Sequence, residues 1–394
     1  MNATAATLTG LRIWDGFSSD YVPGCDAIAV DNGRIRAVGS ADALLGAGEV
    51  RDFGGAVAIP GLIDTHVHLC LDPDIRDPSL QSRGTRDEEL AAMAARALGM
   101  ARAGITTARD LGGGQHLELA LRDRIREGTL PGPRLICAGQ PVTSVRGHCH
   151  FWGGEAADLD AARAVIARQA AAGVDLVKVM ATGGSMTAGT RPRDAQFDDA
   201  TLAAIVAEAR GRGYAVAAHC HGTAGIRGAV GAGVTTIEHC SWVGESGWGS
   251  DYDAATAAAI AERGIWVSPT INAGWQRFVG REDDFATRVS TNLKAMRALG
   301  VRYVASTDAG IPNVRHADLP KALPVFAHFA GLTPVEALRS ATSESAQALG
   351  IDDLTGTLAP GFAADLVVVD GDPLADLACL ARPVAVMTRG RWVT

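Results

Sequence analysis

The sequence predicts an α/β protein: a (β/α)₈ TIM barrel joined to a small all-β domain that both chain ends build together. Between about residues 60 and 350, short apolar runs alternate with Ala-rich segments of helical period. Before and after this region, tight-turn signals separate the apolar runs. The predicted domains are residues 1–59 plus 352–394 for the β domain and residues 60–351 for the barrel.

The two chain ends have the composition of β-structure. The N-terminal runs LRIWDG, DAIAVDNGRIRAVG and AVAIPG indicate strands joined by tight turns. Asp-Asn-Gly at 31–33 is a hairpin signal, because Asn and Gly tolerate positive φ. The C-terminal runs GFAADLVVVDGDP and PVAVMTRGRWVT have the same character. We therefore expect the two ends to pair into one sheet domain.

The middle of the chain contains eight runs of strand character. They are GLIDTHVHL, GITTARDLG, PRLICAG, VDLVKVMATGG, YAVAAHCHG, GVTTIEHC, GIWVSPT and VRYVASTDAG. Helical period is clearest in residues 87–103, 159–173 and 198–213. A doubly wound open sheet is the alternative, and the number of strand-like runs favours the barrel.

Composition excludes several classes of function. The chain has 394 residues, of which 47% are hydrophobic, and a formal net charge of −8 without a concentrated basic surface, which excludes an ordinary nucleic-acid binder. The apolar runs are too short to cross a bilayer, and the first residues lack the pattern of a signal peptide. Seven scattered cysteines without a CxxC pair favour a reducing cytosol. We expect a cytoplasmic homo-oligomer that acts on a small-molecule substrate.

Six ionisable side chains fall at or near the C-terminal ends of predicted barrel strands, where active sites of this fold lie. They are His66, His68, Lys178, His219, His239 and Asp308. His66 and His68 are two residues apart on one strand, so both should face the barrel mouth. Each of the six alone is more often a structural or solvent-facing residue. Together they indicate a site for Zn²⁺ or a related divalent metal.

These motifs carry a resemblance to a known family. HVH (66–68), VKVMATGG (177–184), AHCHG (218–222), EHC (238–240) and STDAG (306–310) resemble the metal-binding motifs of the amidohydrolase superfamily, in the binuclear subset with a carboxylated lysine. ITTARDLGGG (105–114), GHCHFWGGEAADLD (147–160) and PGFAADLVVVDGDPLAD (360–376) are similar to its imidazolonepropionase-like and Xaa-Pro dipeptidase-like group. The resemblance covers nearly the whole chain and implies that the terminal β domain is a β-sandwich.

The resemblance also implies a role for each of the six residues. His66, His68 and Asp308 would hold a more buried metal ion, and His219 and His239 a more exposed one. Lys178, converted by carbon dioxide to a carbamate, would bridge the two ions, as would a hydroxide. The implied reaction is hydrolysis of a peptide-like or N-acyl amino acid amide by that hydroxide, with Asp308 as proton shuttle. Zinc is the first candidate for both ions.

Other residues in loops over the same face are candidate substrate contacts: His148, His150, His221, Arg191 and His316. For His148 and His150, substrate contact and a plain surface position are equally open. His316 could orient Asp308 or touch substrate, and a supporting role is favoured. At the end of the second strand, Arg109 and Asp110 are expected to form an internal salt bridge or anchor a loop.

Two alternatives to a binuclear amide hydrolase stay open. One is a mononuclear zinc deaminase or cyclic-amide hydrolase of the same superfamily. Such deaminases usually carry His-x-x-Glu after the fifth strand, whereas here the run is His219, Cys220, His221, Gly222. The other is a non-catalytic scaffold, which the complete set of six ligand positions disfavours. Substrate identity lies in loops that one sequence does not specify.

Overall fold

Four strands precede the barrel in the computed structural model, which describes residues 5–44, 48–77 and 80–394. They are β1 (Ala6–Ile13), β2 (Ala27–Asp31), β3 (Arg34–Gly39) and β4 (Glu49–Pro60), with the short helix α1 (Ala41–Leu44) after β3. The turn between β2 and β3 places Asn32 and Gly33 at φ 48° and 78°. Two successive positive φ values are what a two-residue hairpin turn requires, so the predicted hairpin is confirmed.

The barrel strands come next in the chain. They are β5 (Leu62–Val67), β6 (Ile105–Asp110), β7 (Arg134–Cys137), β10 (Val177–Met180), β11 (Val216–Gly222), β12 (Thr236–Val243), β13 (Trp266–Ser268) and β14 (Arg302–Tyr303). Between β7 and β10 lie the short strands β8 (Thr143–Ser144) and β9 (Glu155–Ala156), which pair with each other. Seven of the eight barrel strands fall inside one of the runs predicted from the sequence, and β12 begins in GVTTIEHC and extends three residues beyond it.

Parallel pairing closes these strands into a barrel. β5 to β7 form one parallel set and β10 to β14 a second. Val142 bridges to Val179 at one seam, and Val67 bridges to Ala309 at the other. At this second seam the Asp308 N–H donates to the His66 carbonyl at 2.9 Å. Closure at both seams excludes the open doubly wound sheet.

Helices surround the barrel and bury its outer face. They are α2 (Arg86–Arg102), α3 (Leu117–Glu127), α4 (Leu159–Ala172), α5 (Asp199–Gly211), α6 (Thr223–Ala232), α7 (Ala254–Glu262), α8 (Asp284–Ala298), α9 (Leu319–Ala330), α10 (Pro334–Ser340) and α11 (Ser343–Leu349). Short 3₁₀ helices cover His150–Trp152, Ala273–Phe278 and Leu377–Ala381. The predicted helices at 87–103, 159–173 and 198–213 correspond to α2, α4 and α5, with ends that differ by at most two residues. Their apolar faces pack on Val, Ile and Ala side chains of the strands.

The C-terminal strands return to the N-terminal ones. β15 (Leu366–Val369), β16 (Pro383–Thr388) and β17 (Arg391–Trp392) extend one described sheet in the order β17-β16-β15-β4-β1-β2-β3. The sheet curls, because Arg34 in β3 bridges to Ala363 just before β15. Leu8, Ile35 and Val368 from distant strands share one apolar core inside this curl. The predicted pairing of the two ends is confirmed, and the exact domain boundaries stay a prediction.

Within the described residues, no helix combines the length and the apolar character that a bilayer crossing requires.

Candidate metal centre

His66 and His68 meet Asp308 at the mouth of the barrel. Their Nε2 atoms are 3.3 Å apart, and both face Asp308 Oδ1, at 3.3 Å from His66 and 3.5 Å from His68. Asp308 follows β14 with φ 59°, a strained conformation for a residue with a side chain. Its backbone bond to the His66 carbonyl holds it there. The i, i+2 spacing therefore places both imidazoles on the barrel interior, as the sequence predicts.

A second group of imidazoles lies across the mouth. His219 in β11 and His239 in β12 approach through His219 Nδ1 and His239 Nε2, which are 2.9 Å apart. His221 completes a trio whose ligating atoms all lie within 4.8 Å of one another. The same limit holds for His66, His68 and Asp308. The structure thus offers two adjacent sets of metal-ligating atoms.

In His66, His68, His219 and His239, one ring nitrogen contacts a fixed group of the protein. The outward contacts are His66 Nδ1 to Glu238 Oε2 at 2.9 Å, His68 Nδ1 to the Gly112 carbonyl at 2.9 Å, His219 Nε2 to the Gly183 carbonyl at 3.1 Å, and His239 Nδ1 to Thr270 Oγ1 at 2.9 Å. The carboxylate and the two carbonyls can only accept, so the nitrogens of His66, His68 and His219 that face them carry the proton; the Thr270 hydroxyl can donate or accept. In these three rings the lone pair of the other nitrogen is then directed at the centre, which is the arrangement that metal-ligating histidines adopt.

Lys178 enters the same space from β10. Its side chain is fully buried, and among the described residues its Nζ has no hydrogen-bond or ion-pair partner. Burial, partly offset by Glu238, lowers the pKa of Lys178 to about 8. The neutral amine is the form that adds carbon dioxide, so this residue suits conversion to a carbamate.

Electrostatics favour the protonation states that metal binding needs. Burial, reinforced by the neighbouring imidazoles and the Lys178 charge, lowers the pKa of His68, His219 and His239 well below the usual value. Neutral imidazole is the metal-binding form. Burial also raises the pKa of Asp308, although His66 and Lys178 oppose the rise. The side chains present therefore fit a pair of divalent ions.

Beneath the centre lies a buried ion pair that supports it. Arg109 Nη2 donates to Glu238 Oε1 at 2.8 Å, and Thr236 Oγ1 donates to the same oxygen at 2.6 Å. Burial alone would raise the pKa of Glu238, but Arg109 and His66 hold it well below its ordinary value. The internal salt bridge expected for Arg109 is confirmed. Asp110 anchors the neighbouring loops by accepting from the backbone N–H of Leu69 and of Gly112.

Sequence reasoning missed Glu238 for a physical reason. Strict alternation along β12 would send Glu238 and His239 to opposite faces of the strand. His239 and Cys240 instead adopt φ of 68° and 49°, so alternation fails at this strand end. Both Glu238 and His239 consequently reach the barrel interior. The available signal was a carboxylate inside the strand-like run GVTTIEHC.

A cavity of about 330 Å³ opens above the six side chains. Its wall is rich in aromatic residues from the 3₁₀ helix Ala273–Phe278 and from α8, where the rings of Trp275 and Phe278 pack against that of Phe285 at 5.2 and 4.9 Å between centroids. Arg277 also borders the cavity, with its guanidinium 4.6 Å from the Phe278 ring centre. Among the described residues, no carboxylate forms an ion pair with Arg277. None of these wall residues was predicted from the sequence.

The predicted substrate contacts divide into two groups. His148 and His221 line the cavity, and the His148 ring lies 4.5 Å from that of His219. His150, Arg191 and His316 lie outside the cavity lining. Arg191 is 65% exposed and pairs with Asp194, and His150 contacts Phe151. His316 Nε2 donates to the His68 carbonyl at 3.0 Å, so it supports that loop and does not orient Asp308.

Comparison with known proteins assigns the chain to the family that its motifs resemble. Residues 57–393 match the profile of the amidohydrolase family. The chain is 28% identical to ochratoxinase from Aspergillus niger over 367 residues, which covers 84% of this chain and 73% of that protein. It is 28% identical to imidazolonepropionase from Mesorhizobium japonicum over 413 residues, 94% of each chain.

The fold is shared with solved structures of the same kind. A crystal structure of a Xaa-Pro dipeptidase with bound methionine in the active site superposes with a TM-score of 0.86 at 24% identity, covering 98% of this chain and 99% of that one. The predicted (β/α)₈ barrel with its small β domain is therefore confirmed. So is the resemblance stated from the motifs: the chain belongs to the amidohydrolase family and is a hydrolase.

Proposed function

We propose that the chain uses two divalent metal ions to cleave an amide bond in a peptide-like or N-acyl amino acid substrate. One observation carries the proposal: two sets of oriented metal-ligating atoms converge around buried Lys178 on the floor of one cavity. His66, His68 and Asp308 would hold one ion, and His219 and His239 the other. Carboxylated Lys178 would supply an anionic ligand to both.

The chain's own residues move the proton. When bound, the two ions supply a water of lowered pKa and a Lewis acid for the scissile carbonyl. Asp308 takes the proton of the attacking water and delivers it to the leaving nitrogen. The raised pKa of Asp308 favours this uptake. Burial and the Lys178 charge lower the pKa of His148 to about 4, so a neutral imidazole is available beside the substrate.

The cavity wall supports a narrower substrate class. Trp275, Phe278 and Phe285 favour a bulky apolar group, preferably aromatic, because flat rings pack against one another with large buried area. Arg277 at the rim would bind a carboxylate, since its guanidinium has no anionic partner in the described chain. An N-acyl amino acid with an aromatic group satisfies both features.

The alternatives are less well supported. A mononuclear deaminase or cyclic-amide hydrolase leaves no role for Lys178, which is buried without a partner in the described ranges. A scaffold without activity would not need four imidazoles that are each held by a separate hydrogen-bond partner.

The test is a substrate screen with purified, zinc-loaded protein against dipeptides and N-acyl amino acids that carry aromatic or short aliphatic acyl groups. We expect hydrolysis of aromatic members, with release of the free amino acid followed by chromatography. Asp308→Asn, prepared in parallel, controls for contaminating hydrolases. The proposal is wrong if no member is cleaved, or if Asp308→Asn cleaves as fast as the wild-type protein.

A further inference from the structure

A second cavity, of about 280 Å³, lies between the barrel and the β domain, outside the metal centre. Its lining contains an unusual number of arginines, contributed by separate parts of the fold: Arg34 in β3, Arg126 in α3, Arg134 in β7, Arg389 just after β16 and Arg391 in β17. No role in hydrolysis is assigned to any of them. We refer to this site as the arginine cavity.

The carboxylates around the arginine cavity neutralise only part of its charge. Asp365 Oδ2 pairs with Arg134 at 3.1 Å, and Asp123 pairs with Arg126 at 3.0 Å. Among the described residues, the side chains of the other three arginines have no carboxylate partner within ion-pair distance. Five guanidinium groups thus share two carboxylates.

The remaining arginines donate to backbone carbonyls. Arg389 reaches the carbonyls of Ile125 and Gly132 at 2.9 and 3.1 Å, and Arg34 reaches that of Gly361 at 2.6 Å. A carbonyl takes only one or two of the five N–H groups of a guanidinium, so several donors stay available. Arg134 Nε is buried and has no hydrogen-bond partner in the described structure.

Like charges crowd in this space. Burial lowers the pKa of Arg389, and the charges of Arg134 and Arg391 lower it further against the opposing effect of Asp365. Arg134 and Arg389 are partly withdrawn from water, and burying a cation is unfavourable unless an anion compensates it. A guanidinium binds tetrahedral oxyanions well, because its paired N–H groups match two oxygens at once.

We propose that the arginine cavity binds a small oxyanion of the phosphate class. The cavity has room for such an ion, and its donors come from both domains: Arg126 and Arg134 from the barrel, and Arg34, Arg389 and Arg391 from the β domain. The anion would therefore hold the two domains together. It takes no part in the reaction at the metal centre.

Isothermal titration of inorganic phosphate into the metal-loaded protein, at constant ionic strength, tests this site. We expect saturable binding that weakens by at least about tenfold in the Arg34→Gln/Arg391→Gln double variant, since two of the charge-assisted contacts are lost. Both side chains are exposed, so the variant should fold. Arg36→Gln/Arg124→Gln is the matched control: it removes the same charge from β3 and α3, outside the cavity lining, and should bind phosphate as the wild-type protein does.

Phosphate could also bind at the metal centre, so hydrolysis is assayed in the same variants. The cavity variant should hydrolyse substrate as the wild-type protein does, because the arginine cavity takes no part in the reaction. Equal phosphate affinity in the wild-type protein and the cavity variant, or no saturable binding at all, overturns the proposal. So does an equal loss of affinity in the control variant, which would indicate a non-specific charge effect. If the double variant fails to fold, single Arg126→Gln replaces it, since Arg126 is 69% exposed. Its unchanged affinity would then contradict the proposal.

Discussion

Glu238 lies between two hydrogen-bond partners, with His66 on one carboxylate oxygen and Arg109 on the other. It fixes which nitrogen of His66 carries the proton and so directs the Nε2 lone pair at the centre. Contacts of this kind raise the basicity of a histidine ligand and hold its ring in place. The residue therefore matters for metal affinity although it binds no metal itself.

Glu238→Gln should lower the affinity for one metal ion by about 10- to 100-fold, because the amide keeps the size of the side chain and loses its charge. Competition with a chromogenic chelator measures this affinity. Glu262→Gln, an exposed change in α7, should leave it unaltered. A wild-type affinity in Glu238→Gln would show that His66 does not depend on this contact.

The lowered pKa of Lys178 predicts that reconstitution of activity depends on pH. With a folded pKa of about 8, the neutral amine rises from about a tenth of the population at pH 7 to about three quarters at pH 8.5. Only this form adds carbon dioxide, so recovery of activity from metal-free protein with zinc should be several-fold faster at pH 8.5 than at pH 7 when bicarbonate is adjusted to hold dissolved carbon dioxide constant. Activity followed during reconstitution checks this. A rate independent of pH and bicarbonate would contradict a carbamate on Lys178.

Arg277 is the residue expected to recognise a substrate carboxylate. Arg277→Gln should raise KM for carboxylate-bearing substrates by about tenfold or more, with kcat largely kept, since one charge-assisted contact is lost from binding. The matched amide or ester of the same substrate should show no such change. Arg281→Gln is the control, because Arg281 is nearby and pairs with Asp283 outside the cavity lining. An equal effect on the carboxylate and its neutral analogue would contradict this role.

At the scale of single elements, the side chains that face the barrel interior could be predicted where the strand alternates regularly. At the end of β5 the i, i+2 spacing correctly places His66 and His68 together. In β12 the positive φ values at His239 and Cys240 break alternation, so the inward position of Glu238 could not be inferred. Irregular strand ends of this kind depend on long-range contacts, which local sequence does not encode.

Glu344 in helix α11, outside the metal centre, makes the stability of the protein depend on pH. Burial raises the pKa of Glu344 to about 7, although Arg339 and Arg302 oppose the rise. The folded state therefore holds a proton that the unfolded state releases near the usual value of 4.5. By linkage, the contribution of Glu344 to the free energy of unfolding decreases as pH rises from about 4.5 to 7.

Glu344→Gln should accordingly be more stable than the wild-type protein at pH 8, by about 1–3 kcal/mol, and little changed at pH 4.5. Thermal unfolding of the metal-loaded proteins at both pH values measures the difference. Glu336→Gln would not show this pattern, because Arg297 and Thr333 hold the pKa of Glu336 below its usual value despite burial. A pH-independent difference between Glu344→Gln and wild type would contradict the raised pKa.

At the scale of the whole molecule, the barrel topology explains why six residues that are far apart in sequence could be predicted to form one site. The carboxyl ends of parallel barrel strands meet on one face, so residues far apart in sequence converge once the fold is known. This is why all six proposed ligands could be chosen from the sequence. The wall residues Trp275, Arg277 and Phe278 lie in a 3₁₀ segment after β13, where no periodic pattern indicates which side chains face the cavity.

Metal stoichiometry against activity is the most direct test of the central claim. Protein stripped with a chelator and titrated with zinc in the presence of bicarbonate should regain hydrolysis only as it takes up about two equivalents per chain, counted by elemental analysis. Lys178→Ala should bind fewer equivalents and stay inactive under the same titration. Full activity at one equivalent or none, or full metal content and activity in Lys178→Ala, would contradict a two-metal centre bridged by Lys178.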